Sequence, residues 1–492
     1  MDKNEYYGEK LSHLANSQDR IFDRPKVEGE VKDIHIIGIC GTAMGSLAGL
    51  LKENGYNVRG SDSACHPPIR DMHDILQIPY KEGFDENNIG KADAVVIGNV
   101  SGPQNPEAVF ARENNLPQLS LPEAIDQFVA RDKKKLLISG THGKTTTTGL
   151  VASIFEQAEK DPSYFIGGIM QGKEKSYRKG DGEYFIMEGD EYDTAYFDKR
   201  PKFLVYGATS AIVTSIELDH LDIYDDFTDY MMAFRFFAKE IPGDGFLVLN
   251  FDDKNVRSLA NYTKAKVISY GESSDANVTY KNLKSGTRVQ AFDLIVDGEN
   301  LGRLETPLSG EYNVLNICAA SALAIQYGIK IEDIFLAVKN FKGMKRRQEI
   351  VFENEKVIFI DDFAHHPTSV RETLAGIKKK FKGHRIVTLF EPRSNSSRKK
   401  IFEKDYMESF NDTDVLYMKI PPFRHNDKKE DFMDADTVVN HIKDKGKEAK
   451  VFETADEIVN EVTGNLKDGD LIIMMSNGGF DGLREKLVDE LK

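Results

Sequence analysis

The stretch ISGTHGKTTTTGL, residues 138–150, constrains this chain more than any other. Leu136, Leu137 and Ile138 form an apolar run that predicts a buried strand, and the TGLVASIF that follows the loop predicts a helix. A glycine turn between strand and helix offers backbone N–H groups and a helix N-terminus to an anion, so the segment predicts a polyphosphate site in an α/β sheet. The general phosphate loop reads G-x-x-x-x-G-K-[ST]. Gly143, Lys144 and Thr145 complete that pattern, but Ile138 stands where its first glycine belongs, which leaves a shortened loop opening at Gly140. Lys144 is expected to reach the β- and γ-phosphates and the Thr145 hydroxyl a Mg²⁺ ion.

A length of 492 residues predicts about three domains of the usual ~100–200 residues. The net charge of −15 disfavours non-specific nucleic-acid binding, while leaving room for a basic pocket that takes an anionic small molecule. No apolar run approaches the ~20 residues that span a bilayer, and the N-terminal MDKNEYYGEK lacks the apolar core of a signal peptide. No membrane partner and a cytoplasmic location are therefore expected. Cys40, Cys65 and Cys318 are scattered, odd in number and without metal-ligand spacing, so all three are expected to be reduced bystanders.

Residues 1–30 are polar, charged and aperiodic, and are expected to form a partly disordered extension. A first domain over 31–132 opens with a strand, Ile34–Ile39, a glycine turn into a helix (GICGTAMGSLAGLLKENGY) and a second strand, Val58–Asp62. This predicts a doubly wound βαβ unit in which Gly38, Gly41 and Gly45 allow a diphosphate close to the helix N-terminus; a tight structural turn fits the same glycines. A second domain, 133–345, begins with the phosphate loop and carries two strands ending in acid-rich turns, YFIMEGDEYD (184–193) and AIVTSIELDHLDIY (211–224). Ligands collect at the carboxyl ends of strands in open α/β sheets, which puts Glu188 and His220 where a nucleotide-bound Mg²⁺ would lie; solvated turn charges are the alternative. A third domain, 346–492, again alternates strand and helix, with KVIFIDDFAHHPTSV at its start and IVTLFEPRSNSSRKK after it.

Taken in order, GICGTAMG, GTHGKTTTT, EGDEYDTAYFDKRPKF, ELDHLDIYDDF, SGEYNVLN, MKRRQE and DDFAHHPT resemble the ATP-dependent Mur ligases over roughly residues 31–492. That family carries the shortened phosphate loop. The resemblance implies a Rossmann-like N-terminal domain for a UDP-sugar, a central P-loop ATPase-like domain and a Rossmann-like C-terminal domain. It implies ATP contacts from Gly140, Thr141, His142, Gly143, Lys144, Thr145, Thr146, Asn313, Asn316, Arg347 and Asp362. Thr145, Glu188 and His220 would hold Mg²⁺. The UDP-sugar would meet Gly38, Cys40, Gly41, Thr42, Met44, Gly45, Ser61 and Asp62. Some members carbamylate a lysine about fifteen residues after the metal-binding histidine; here Arg235-Phe236 occupies that neighbourhood and Lys239 is the nearest lysine.

FEPRSNSSRK and MMSNGGFDG resemble the branch that joins UDP-N-acetylmuramate to the recovered tripeptide L-Ala-γ-D-Glu-meso-diaminopimelate. The alanine-adding branch typically reads G-x-G-G-x-G-M-S near its N-terminus, whereas this chain has GICGTAMG; alanine addition is the second reading. A binding protein that senses nucleotide without turnover is a remote third. Arg393, Ser394 and Asn395 are expected at the distal end of a peptide, with Arg393 as a surface ion-pair partner of Glu391 or another of the many acidic residues as the alternative. The resemblance implies attack of a carboxylate on ATP to give an acyl phosphate, then displacement of phosphate by an amine. Lys144, Glu188 and His220 would be the catalytic residues. His365 and His366 fit either a general base or helix capping and packing.

Overall fold

The computed structural model describes residues 24–286, 288–422 and 428–492. The expected disordered extension lies outside the described residues up to position 23. Its described remainder is anchored: Arg24 donates to both carboxylate oxygens of Glu123 at 3.0 Å and to the Gln118 carbonyl at 2.9 Å, and its guanidinium lies 4.0 Å from the Phe197 ring centre.

Three α/β sheets follow one another along the chain. The first has five parallel strands in the spatial order Tyr80–Glu82, Asn57–Asp62, Asp33–Ile37, Ala94–Ile97, Gln118–Ser120. Ile34, Ile36 and Ile37 have no exposed surface, as expected of a parallel strand covered by helices on both faces. The strand order reverses between Asp33–Ile37 and Ala94–Ile97, so the connections there leave in opposite directions and open a crevice.

The second sheet has ten strands. At its centre, Phe246–Asn250, Ser210–Val213, Lys134–Ser139 and Tyr184–Gly189 run parallel. This brings the carboxyl end of the phosphate-loop strand between those of the two strands that lead into the acid-rich turns. An antiparallel meander, Val278–Ser285, Gln290–Val296 and Glu299–Thr306, extends one side. The third sheet, six strands in the order Glu349–Glu353, Val357–Asp362, Asp470–Met475, Arg385–Phe390, Val415–Lys419, Glu448–Phe452, is parallel except for its first pair. Among the described residues no helix is long and apolar enough to cross a membrane.

The cysteine expectation is corrected for two residues of three. Cys40 and Cys65 are disulfide-bonded, with Cα atoms 5.2 Å apart, and Cys318 is free and buried. A sequence separation of 25 hides the proximity of the pair. The strands Asp33–Ile37 and Asn57–Asp62 are parallel neighbours, so the loops leaving their carboxyl ends meet.

Candidate active site

The phosphate loop turns between the strand Lys134–Ser139 and the helix Lys144–Gln157. Two of its glycines have positive φ, +124° at Gly140 and +83° at Gly143, and each is also pressed by a neighbour. A Cβ at Gly140 would come 2.3 Å from Thr214 Oγ1, and one at Gly143 would come 2.7 Å from Asn316 Oδ1. Both positions therefore exclude side chains on conformational and steric grounds. Lys144 Nζ donates to the Gly140 carbonyl and, at 2.9 Å, to Glu191. Burial opposes its charge, but Glu191, Glu188 and Asp190 around it raise its pKa, so it stays cationic.

Thr145 Oγ1 donates to Glu188 Oε1 at 3.1 Å, and the Gly167 amide donates to Glu188 Oε2 at 2.9 Å. Burial raises the Glu188 pKa despite the Lys144 charge. Asp190, Glu191 and His220 bring one potential ligand atom each within 4.8 Å of one another. His220 Nε2 lies 3.2 Å from Glu191 Oε1, and its backbone is held at φ +54°. Burial pulls the His220 pKa down, but the Glu191 hydrogen bond and the Asp219 and Glu191 charges outweigh it and hold the value at about 9. The carboxylate and hydroxyl oxygens suit Mg²⁺, and the imidazole is a less usual ligand for it. The buried Glu191 and the partly buried Glu188 beside Lys144 also match what the cation of a phosphate chain requires.

Eight of the expected nucleotide contacts line one cavity of about 340 Å³ between the second and third sheets: His142, Gly143, Thr145, Thr146, Asn313, Asn316, Arg347 and Asp362. Gly140, Thr141 and Lys144 lie beneath it in the loop, where Thr141 Oγ1 bonds the Glu217 carbonyl and the Tyr230 hydroxyl, each at 3.0 Å. Asn313 Nδ2 donates to the Ser309 carbonyl at 2.7 Å, and its Oδ1 accepts from Asn316 Nδ2 at 3.2 Å. Asp362 accepts from the Gln348 and Ala364 amides at 2.8 and 2.7 Å, and the Arg347 guanidinium sits 4.9 Å from the Phe363 ring centre. Burial raises the Asp362 pKa against the pull of Arg347.

The third sheet docks directly on these loops. Ser369 Oγ lies 3.1 Å from His142 Nδ1, Ser396 Oγ accepts from the His220 amide at 3.0 Å, and Asn395 Nδ2 donates to Asp222 at 2.9 Å. Of the peptide-site expectation, Asn395 thus serves this docking, Ser394 Oγ accepts from the Ser397 amide at 2.9 Å, and Arg393 is exposed. Glu391 does not pair with Arg393: it is buried and bonded to Lys419 and Ser476. His366 caps the helix Pro367–Lys380, and burial holds His365 near 4 and His366 near 3, so both rings are neutral.

The N-terminal crevice, about 720 Å³, is lined by Gly38, Cys40, Gly41 and Asp62 among others. Gly38 has φ +82°, and the Cys40 amide donates to Asp62 Oδ2 at 2.9 Å. Thr42 and Met44 lie in the first turn of the helix Thr42–Glu53, Thr42 exposed and Met44 buried. Two expected contacts are placed elsewhere. A Cβ at Gly45 would sit 2.6 Å from Ile69 Cγ2, so this glycine admits a neighbouring helix rather than a ligand. Ser61 is fully buried and donates to Glu107, which also bonds His35 at 2.8 Å. Asp190, Glu191 and Glu217 were not singled out from sequence. The run EGDEYD held the first two in view, but only the fold tells which of four acids faces Lys144.

Three family models match the chain: "Mur ligase family, catalytic domain" over residues 33–133, "Mur ligase middle domain" over 138–324 and "Mur ligase, glutamate ligase domain" over 346–478. The UDP-N-acetylmuramate–L-alanyl-γ-D-glutamyl-meso-2,6-diaminoheptandioate ligase of Escherichia coli K12 is 34% identical over 466 residues, covering 93% of this chain and 98% of that one. The UDP-N-acetylmuramate–L-alanine ligase of Agrobacterium fabrum is 32% identical over 468 residues, covering 93% and 97%. In fold, the crystal structure of the UDP-N-acetylmuramate-alanine ligase from Thermotoga maritima superposes with a TM-score of 0.78 at 24% identity, covering 94% of this chain and 99% of that one. The chain belongs to the Mur ligase family and is an ATP-dependent, amide-forming ligase of peptidoglycan metabolism.

Proposed function

We propose that the chain joins UDP-N-acetylmuramate to the tripeptide L-Ala-γ-D-Glu-meso-diaminopimelate at the expense of ATP. The observation that carries the chemistry is that Thr145, Arg347 and Asp362 line one interdomain cavity, while Thr145 bonds Glu188 and the adjacent Lys144 pairs with Glu191 of the acid cluster. The E. coli relative with the peptide substrate in its name and the exposed Arg393 support a peptide over free alanine. Alanine addition is the second reading, favoured by the Agrobacterium relative at nearly equal identity.

ATP would lie in the cavity with its phosphates over the loop Gly140–Gly143, and UDP-N-acetylmuramate in the N-terminal crevice. Thr145 and Glu188 would hold one Mg²⁺ and His220 a second, and such ions would supply positive charge to offset that of the phosphates. The first step joins two anions, the lactyl carboxylate and the γ-phosphoryl group. Lys144 offsets their repulsion through a positive charge already in place before reaction. Arg347 and Asp362 close the other side of the nucleotide, so reactants are oriented only when both domains contribute. The peptide amine then displaces phosphate from the acyl phosphate, and no protein nucleophile is required. Substrate carrying ¹⁸O in its lactyl carboxylate is expected to deliver one labelled oxygen per turnover to inorganic phosphate, read by mass spectrometry. Unlabelled phosphate would contradict carboxylate activation.

Arg393 follows the carboxyl end of the strand Arg385–Phe390, the side of the sheet where ligands collect. A guanidinium there can take a distal peptide carboxylate in bidentate fashion, a group free alanine lacks. Arg393→Ala is expected to raise the tripeptide KM by roughly tenfold to a hundredfold, the effect of losing ~1.5–3 kcal/mol, while leaving the KM for ATP and UDP-N-acetylmuramate near wild type. An unchanged tripeptide kcat/KM would remove Arg393 from the site.

A further inference from the structure

Beneath the N-terminal crevice lies a second cluster that neither ATP nor the peptide needs. Cys40, Cys65 and His73 each offer one ligand atom, two sulfurs and a ring nitrogen, within 4.8 Å of one another. Cys40 lines the crevice and Cys65 is 3% exposed, while His73, in the helix Ile69–Leu76, is wholly buried. The His73 ring is already oriented. Its Nε2 donates to the Ile39 carbonyl at 3.1 Å, which fixes the tautomer and leaves Nδ1 with a free lone pair. That Nδ1 is buried and has no hydrogen-bond partner. A buried polar atom without a partner is costly. An imidazole whose other nitrogen is held by a backbone carbonyl is the arrangement found at protein metal ligands.

We propose that Cys40, Cys65 and His73 form a redox-gated site for a thiophilic divalent cation, with zinc as its probe. In the oxidised chain the two sulfurs are bonded to each other and the site is closed. A dithiol reductant opens it: one of its thiolates attacks a sulfur of the Cys40–Cys65 bond, its second thiol displaces the resulting mixed disulfide, and the reductant leaves as its own cyclic disulfide. Two cysteine thiols remain. Binding the cation releases their two protons and gives two thiolates and one imidazole, a donor set suited to Zn²⁺ with a fourth position left open. Cys40 lines the crevice and its amide holds Asp62, so a change in the state of the sulfurs would be felt at the crevice wall. The sequence hides the site because its three ligands come from two loops and a helix, with none of the short Cys-x-x-Cys spacing by which metal sites are read.

The full-length chain tests this directly. Thiol counting in denaturant is expected to give one thiol per chain before reduction and three after. After reduction with a phosphine that is removed before metal is added, Co²⁺ is expected to produce a thiolate-to-cobalt charge-transfer band that saturates near one ion per chain and is displaced by Zn²⁺. The oxidised chain should give no such band. Cys40→Ser should lose it and Cys318→Ser should keep it, with thermal melting confirming that both variants fold. His73→Gln should weaken Co²⁺ binding at least tenfold. A reduced chain with no thiolate band, or a band that survives Cys40→Ser, would overturn the proposal. If Cys40→Ser fails to fold, the wild-type comparison of oxidised and reduced chains decides alone.

Discussion

Lys144→Ala is expected to lower kcat for amide formation by roughly 10²–10³-fold or more, the scale set by losing a preorganised charge aimed at a transition-state anion. UDP-N-acetylmuramate binding should survive. The reason is spatial: the crevice around Gly38 and Asp62 belongs to the first sheet, whereas Lys144 opens a helix on the second. Removing the ammonium also leaves Glu191, 1% exposed at its side chain, without its lysine partner. Some loss of thermal stability should therefore accompany the loss of rate. Calorimetry separates the two effects. A folded variant that lost the UDP-sugar as completely as ATP would show that the two ligands do not occupy separate modules.

Glu188→Gln is expected to cost a comparable factor in kcat, but through the ion. Glutamine keeps the volume; its Oε1 can accept from the Gly167 amide and its Nε2 can donate to the Thr145 hydroxyl oxygen, so the loop should keep its shape. What it removes is the negative charge that would hold Mg²⁺ beside Thr145. The Mg²⁺ concentration for half-maximal rate should rise at least tenfold, and high Mg²⁺ should restore part of the activity. A variant with reduced kcat and an unchanged Mg²⁺ dependence would take Glu188 out of the ion site and leave it as a support for Thr145.

Much of this site was legible in sequence because its parts are local. The shortened loop lies in one continuous run of strand, turn and helix, and Gly140 and Gly143 have the positive φ that such a loop demands. Strand positions followed from apolar runs in the same way: Leu136 to Ile138 lie in Lys134–Ser139, and Ile386 to Phe390 in Arg385–Phe390. What escaped depends on contacts between distant segments. Ser61 reads as a ligand contact beside Asp62, yet alternation along a strand turns neighbouring side chains to opposite faces, and Ser61 points to Glu107. Gly45 reads as a third phosphate glycine, but the helix Ile69–Leu76 crosses there and requires the space. The pairing of Cys40 with Cys65 and the choice of Glu191 as partner of Lys144 were set by sheet order, which periodicity along one strand does not encode. His366 proved to be a helix cap, and the neutral His365 beside it bonds the Phe363 carbonyl.

Phosphate release from ATP, measured with UDP-N-acetylmuramate and either the tripeptide or free L-alanine, decides the substrate most directly, with the joined product identified by mass. Tripeptide-dependent release at a kcat/KM at least a hundredfold above that for alanine is the expected result. Equal or faster turnover with alanine would contradict the peptide assignment, and no release with either amine would contradict the ligase reading itself.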